Sequence, residues 1–231
     1  ENETVYRGRV LILSHNPKDN THSYLFAQDN FNFGGHIIFA KEIQGLPVET
    51  LRHGKDGESI ESMFSELEMT KGDLTLVIGG HGLKNFITFG EESFSIKPLF
   101  LRLKERVKQQ KEGEKWMTTI IFQSCYSDYN IGLLNKLWLE DTETKNFPVR
   151  MLSSSNENMS SAKMTNDSWS IKARELKITG KPLTWAEFYR DIESKNFIMS
   201  GGETNSNQTL FINGEELGAL EKPRKAARKT A

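Results

Sequence analysis

The sequence predicts an α/β fold, a three-layer α/β/α sandwich on a mostly parallel sheet. Three observations lead there. Short apolar, β-branched runs alternate along the chain with segments whose apolar residues recur at helical spacing. Two of those runs, Leu74-Thr-Leu-Val-Ile-Gly-Gly-His-Gly82 and Trp116-Met-Thr-Thr-Ile-Ile-Phe-Gln-Ser-Cys125, have the composition of buried strands and end abruptly in small or reactive residues. Helical segments fall between the strands, and right-handed crossovers then constrain which strands can be neighbours.

Taken in order, Val5 to Ser14 reads as the first buried strand, ending at His15-Asn16-Pro17. Lys18 to Thr21 is a polar loop, and Ser23 to Asn32 carries a weak helical pattern. His36 to Ala40 reads as a second short strand, and Gly45 to Gly57, rich in glycine and charge, as a loop. Ile60, Met63, Phe64 and Leu67 predict a helix starting near Ser59, one stripe of which packs on the sheet. Lys71-Gly72-Asp73 is a turn into the run that carries His81. Phe86 to Ser95 reads as two brief extended segments around Gly90, a small hairpin just after the histidine. Pro98 suits the first turn of a helix whose buried stripe is Leu99, Phe100, Leu103 and Val107. Its other face (Arg102, Lys104, Glu105, Arg106, Lys108) mixes charge signs and reads as solvated.

After Cys125, Leu134, Leu137 and Trp138 share one face of a helix from Ile131 to Glu140. Phe147 to Leu152 is the next strand, and the polar stretch Ser153 to Ser160 follows it. Thr184-Trp-Ala-Glu187 is a capping-box pattern that opens an amphipathic helix through Ile192. Asn196 to Ser200 and Thr209 to Ile212 read as late strands. Residues 1–220 are expected to form a single domain, and residues 221–231 a basic tail without apolar periodicity.

Composition bounds the function. At 231 residues the chain can bury a substantial core, and its net charge of −1 gives no basis for a global attraction to nucleic acid or membrane. One cysteine excludes an intrachain disulfide framework and a multi-cysteine zinc site, so no metal is expected. No apolar run approaches the length of a membrane span. The chain begins at Glu1 rather than Met, which leads to the expectation of a processed or excised segment.

His81 and Cys125 end similar buried runs, and strands in an open α/β sheet deliver their last residues to the crevice where ligands bind. Two neighbouring parallel strands would bring imidazole and thiol to one edge, the chemistry of a cysteine nucleophile with a histidine base. Alone, Cys125 also fits a small buried hydrophobe, and His81 a satisfied loop or core histidine. Gly79-Gly80-His81-Gly82 also fits a tight turn. A phosphate loop is poorly matched, because neither GxGxxG nor a Lys-Ser/Thr pair follows. The pairing of the two residues, with one crossover between them, argues against both bland readings holding at once.

A hydrophobic block ending in His-Gly, followed 125 − 81 = 44 residues later by one ending in small-polar-Cys, resembles the clan CD cysteine peptidases. These include caspases, metacaspases, legumain-like and clostripain-like peptidases, and the self-processing domains of bacterial toxins. Gln123-Ser124-Cys125 is similar to the caspase Gln-Ala-Cys, and Ser124-Cys125-Tyr126-Ser127 to the metacaspase Ser-Cys-His-Ser. The Ser/Asn-rich stretch from Ser153 resembles the loop walling the primary pocket of legumain-like enzymes, and the hairpin after His81 resembles that of the toxin domains. Tyr126 and Asp128 depart from the caspase pattern, which leaves the subfamily open.

The resemblance implies a caspase-like fold over residues 1–220 and cysteine endopeptidase activity. Cys125 would be the nucleophile, His81 the base and acid, and the N–H groups of Gly82 and Cys125 the oxyanion hole. Carried over residue by residue, the pocket for the side chain before the scissile bond would use Ser14, His15, Asn16, Gln123, Ser153, Ser154, Ser155, Asn156 and Glu157. Apart from His15 and Glu157 these are polar and uncharged, with Arg52 and Arg150 set apart, so a neutral residue such as Asn or Leu is expected there. Protein or peptide is the implied substrate, including the parent chain. The toxin relatives raise inositol hexakisphosphate as an anionic activator, for which Lys97, Arg102, Lys104, Arg106 and Lys163 are the candidate cations. The same relatives, with the polar, Asn-containing composition, raise a secreted or host-delivered effector. Alternatives are an inactive binding module of the same fold and a ligase or transamidase using the same dyad.

Overall fold

A computed structural model describes residues 4–15, 33–54, 57–153, 171–182, 184, 210–212 and 215–216. Its sheet grows outward from the first strand, β1 (Arg9–His15). The further main-sheet strands are β2 (Val48–His53), β3 (Leu74–Gly79), β7 (Thr118–Gln123), β8 (Val149–Ser153), β9 (Leu210–Ile212) and β10 (Glu215–Glu216). They run in the order β10-β9-β8-β7-β3-β1-β2. From β2 to β8 every pairing is parallel, and β9 and β10 each join antiparallel. A separate three-stranded antiparallel sheet holds β4 (His81–Leu83), β5 (Phe86–Phe89) and β6 (Glu92–Ser95).

The side chains of β3 and β7 are buried at every position, as strands covered on both faces must be. Alternation sends Leu74, Leu76, Ile78, Ile120, Phe122 and Met151 to one core. Val10, Ile12, Val77, Ile121 and Leu152 go to the other. Over the first core lie α2 (Ile60–Met69), α3 (Ile96–Lys108) and α4 (Ser127–Glu140), together with Ile87, Phe89 and Phe94 of the small sheet. Over the second lie α1 (Gly34–Ile37, continued by a π-helical turn, Ile38–Ile43) and α5 (residues 171–179). This is the three-layer sandwich the patterning predicts.

Individual elements follow their local chemistry. Ser59 caps α2 by accepting the Ser62 N–H at 3.0 Å, and the stripe Met63, Phe64 and Leu67 is buried. Pro98 sits in the first turn of α3, where a missing N–H costs nothing.

Three expectations are corrected. His36 to Ala40 is helical, not a strand: Phe33, His36, Phe39 and Ala40 are buried at helical spacing against the sheet. The second strand is instead Val48–His53, inside the stretch read as a loop. It is an edge strand, so only Leu51 and His53 are buried, and the charge of Glu49 and Arg52 masked its alternation. Arg106, assigned to the solvated face of its helix, is fully buried. The segments Ser23 to Asn32, 185–192, Asn196 to Ser200 and the tail 221–231 lie outside the described residues.

Candidate active site

Strands β3 and β7 pair in parallel register from Leu74↔Thr118 to Gly79↔Gln123. His81 and Cys125 each follow two residues beyond that last pair, so the two leave the sheet at the same height on adjacent strands. The chain exits β3 through Gly80, whose φ of 157° and close approach to Phe89 and Thr88 exclude a side chain, and His81 then opens β4. On the other strand, Tyr126 adopts a left-handed conformation (φ 52°, ψ 24°) and caps the start of α4, turning the chain sharply just after Cys125. A non-glycine residue there stores about 1–2 kcal/mol of strain.

The two exits touch through their backbones. A Cβ added at Gly82 would stand 1.7 Å from the carbonyl oxygen of Cys125 and 3.0 Å from its nitrogen. Only glycine permits that approach. The side chains of His81 and Cys125 are both half-buried, reachable from solvent.

A buried asparagine clamps this arrangement. The Oδ1 of Asn130, on α4, accepts the Asn85 N–H at 2.8 Å, and its Nδ2 donates to the carbonyls of Leu83 at 3.0 Å and Phe86 at 3.5 Å. All three partners belong to the turn between β4 and β5 or flank it. The strand bearing His81 is thus tied to the helix that starts beside Cys125. Sequence reading passed over Asn130, although it stands one and two helical turns before Leu134 and Trp138, a polar residue on the apolar stripe.

Behind the cysteine strand runs a second polar network. The His36 Nε2–H donates to Gln123 Oε1 at 2.7 Å, and the Tyr6 hydroxyl donates to His36 Nδ1, also at 2.7 Å. This assigns the neutral Nε2–H tautomer. Burial pushes the His36 pKa down to about 3, with the hydrogen bond to Gln123 opposing, and burial raises that of Tyr6 well above its ordinary value. Reading His36 as a strand residue hid this relay.

The sequence-predicted pocket residues are only partly brought together. Leu13 pairs with Ile78, so Ser14 stands level with Gly79 and Gln123, and alternation turns both Ser14 and Gln123 to the α1 face. Between them the Phe33 ring packs on Gly79. Both polar residues are buried, Ser14 at 4% and Gln123 at 3% exposure. Ser153 is buried as well, but by alternation it faces the opposite layer with Val149 and Met151. His15 ends β1 opposite His53, while Asn16, Ser154, Ser155, Asn156 and Glu157 lie outside the described residues. Arg52, set apart in the sequence reading, pairs in register with Ser14 at the same edge. Arg150 lies three residues before Ser153 and donates to the Thr4 carbonyl at 3.0 Å.

The candidate anion-site cations mostly hold internal partners. Arg102 pairs with Glu61 and Glu68, and Lys104 with Asp141 and Glu143. Arg106 binds the Thr70 and Gly72 carbonyls and the Thr118 hydroxyl. Lys97 is exposed, and Lys163 lies outside the described residues. Among the described residues, no cluster of three or more His, Cys, Asp or Glu side chains has a metal-holding arrangement. No described helix is long and apolar enough to cross a membrane.

No family model and no curated protein matches the sequence. Among solved structures, the chain is similar to the crystal structure of caspase-1 from Spodoptera frugiperda, with a TM-score of 0.53 and 11% identity over 98% of this chain and 94% of that one. At that identity the likeness speaks for architecture. The chain has a caspase-like α/β fold.

Proposed function

We propose that this protein is a cysteine endopeptidase working through His81 and Cys125. The observation that carries the reading is the register Gly79↔Gln123, with both residues two positions beyond it and Gly82 lying against the Cys125 backbone. The Cys125 thiol gives its proton to His81, and Sγ attacks the scissile carbonyl carbon. The carbonyl oxygen becomes an oxyanion, held by the N–H groups of Gly82 and Cys125, a type of donor worth ~2.7–4 kcal/mol each. As the C–N bond breaks, the imidazolium returns its proton to the leaving amine. Water, deprotonated by His81, then cleaves the thioester and restores the thiol.

Two features support a reactive thiol. Cys125 stands two residues before the start of a 14-residue helix, whose N-terminal N–H groups favour an anion. The left-handed Tyr126 turns the chain away just beyond the sulfur. Ser14 and Gln123 would floor the pocket for the residue before the scissile bond, with the relay through His36 and Tyr6 fixing the Gln123 amide.

The test is mass-spectrometric cleavage profiling on a peptide library with wild type and Cys125→Ala. The expected result is a defined set of cleavages that falls at least ~10³-fold in the variant, while the melting temperature stays unchanged. Cleavage that persists in the variant, or a wild type that cuts nothing, would overturn the reading.

A further inference from the structure

The hairpin that begins at His81 has two faces of opposite character. Its cross-strand pairs are His81↔Thr88, Gly82↔Ile87 and Leu83↔Phe86, and successive pairs alternate between faces. Gly82 and Ile87 point inward, Gly82 against Cys125 and Ile87 fully buried in the core. His81, Leu83 and Phe86 therefore share the outward face. Leu83 is 57% exposed and Phe86 42%. Tyr129 of α4, 47% exposed, lies beside the hairpin turn, its ring centroid 5.8 Å from the Lys84 ammonium.

We propose that this patch binds the departing side of the substrate and selects an apolar or aromatic residue within the first two positions after the scissile bond. The inference rests on His81 acting as the acid of the proposed reaction. To receive its proton, the leaving amine must come within hydrogen-bond reach of that imidazole, so the departing chain begins at His81. Leu83 follows two residues along the same strand face, about 6.8 Å farther on, and an extended peptide covers roughly 3.3–3.6 Å per residue. Successive side chains of an extended chain alternate in direction, so one of the first two beyond the cut falls over Leu83 and its cross-strand neighbour Phe86. An extended substrate covering these side chains also explains why large apolar groups stand exposed on the rim of a catalytic crevice.

The experiment compares kcat/KM for peptide pairs that differ only at those two positions, Leu or Phe against Ser. It uses wild type, Leu83→Ser and the Leu83→Ser/Phe86→Ser double variant, with circular dichroism to verify folding. Wild type should prefer the apolar member by ~10–100-fold, and the double variant should bring that ratio below about 3. A wild type that cleaves peptides but ignores these positions overturns the patch assignment and leaves the peptidase reading standing. A double variant that keeps the full preference also overturns it. So does one that keeps the preference and loses self-association in sedimentation velocity, since the patch then belongs to a second copy of the chain. A wild type that cleaves no peptide overturns the peptidase reading itself, and the proposal with it.

Discussion

At the amino end of the sheet, the guanidinium of Arg106 is fully buried and every nitrogen is engaged. It donates to the Thr70 carbonyl at 2.9 Å, to the Thr118 hydroxyl at 2.8 Å and to the Gly72 carbonyl, with the Trp116 ring centroid 5.3 Å away. At the carboxyl end, His81 and Cys125 are half-exposed, and their two chain segments are held together by the close approach of Gly82 to the Cys125 backbone and by the Asn130 side chain on the β4–β5 turn. One end sinks a charge into the scaffold. The other rigidifies its frame and leaves His81 and Cys125 partly exposed, as the proposed chemistry needs if it is to meet a substrate. Stability and activity should therefore come apart when the two ends are perturbed separately.

The largest expected effect on stability is at the amino end. Arg106→Met leaves the Thr70 carbonyl and Thr118 hydroxyl, both on buried residues, and the half-buried Gly72 carbonyl without their donor and should cost about 3–5 kcal/mol, read as a lowered denaturant midpoint. Peptide cleavage per folded molecule should stay at the wild-type level. If activity collapses while stability holds, the division between the ends is wrong.

Gly82→Ala perturbs the opposite end. The new methyl would lie 1.7 Å from the Cys125 carbonyl oxygen, so β4 must withdraw from the cysteine. A displacement near 1 Å at a reacting centre costs on the order of 10²-fold in kcat/KM, and the melting temperature should change far less than in Arg106→Met. Wild-type turnover in this variant would mean that the Gly82 N–H plays no part in the oxyanion hole.

The effect that is smallest at neutral pH sharpens the comparison within the carboxyl end, because His36 is a buried titratable group there. Its pKa is about 3 when folded against 6.5 for a free imidazole, so below pH 6.5 the unfolded chain binds a proton that the folded chain refuses. Stability then falls as pH falls through that window, by about 1.4 kcal/mol per unit, and this contribution is absent above pH 7. His36→Leu should remove that slope from the pH dependence of the denaturant midpoint. An identical slope in wild type and variant would assign the acid sensitivity to other groups.

The legible parts of this chain were those where one physical signal acted alone. Buried strands such as Leu74–Gly79 and Thr118–Gln123 are dominated by apolar and β-branched residues, and their abrupt ends singled out His81 and Cys125 as candidates. The helices at Ile60–Met69 and Ile96–Lys108 carried clean stripes. What stayed hidden depended on tertiary context. The edge strand Val48–His53 is half-polar because only one side is covered, which in sequence looks like a loop. Arg106 looks like any surface cation until the carbonyls of Thr70 and Gly72 converge on it. The relay from Tyr6 through His36 to Gln123 joins residues 30 and 87 positions apart, and no local pattern encodes such a link. The hairpin after His81 was legible around Gly90, whereas the membership of His81 in its first strand was not, since three residues give too short a period to read.

The central claim is that one imidazole serves one thiol. Its most direct measurement is the alkylation of Cys125 by a peptidyl chloromethyl ketone, with the adduct located by peptide mapping and its rate followed in wild type and His81→Ala. The account predicts a single adduct on Cys125 and a rate at least ~10²-fold lower without the imidazole, in a variant that melts at the wild-type temperature. Equal rates in the two proteins would contradict it.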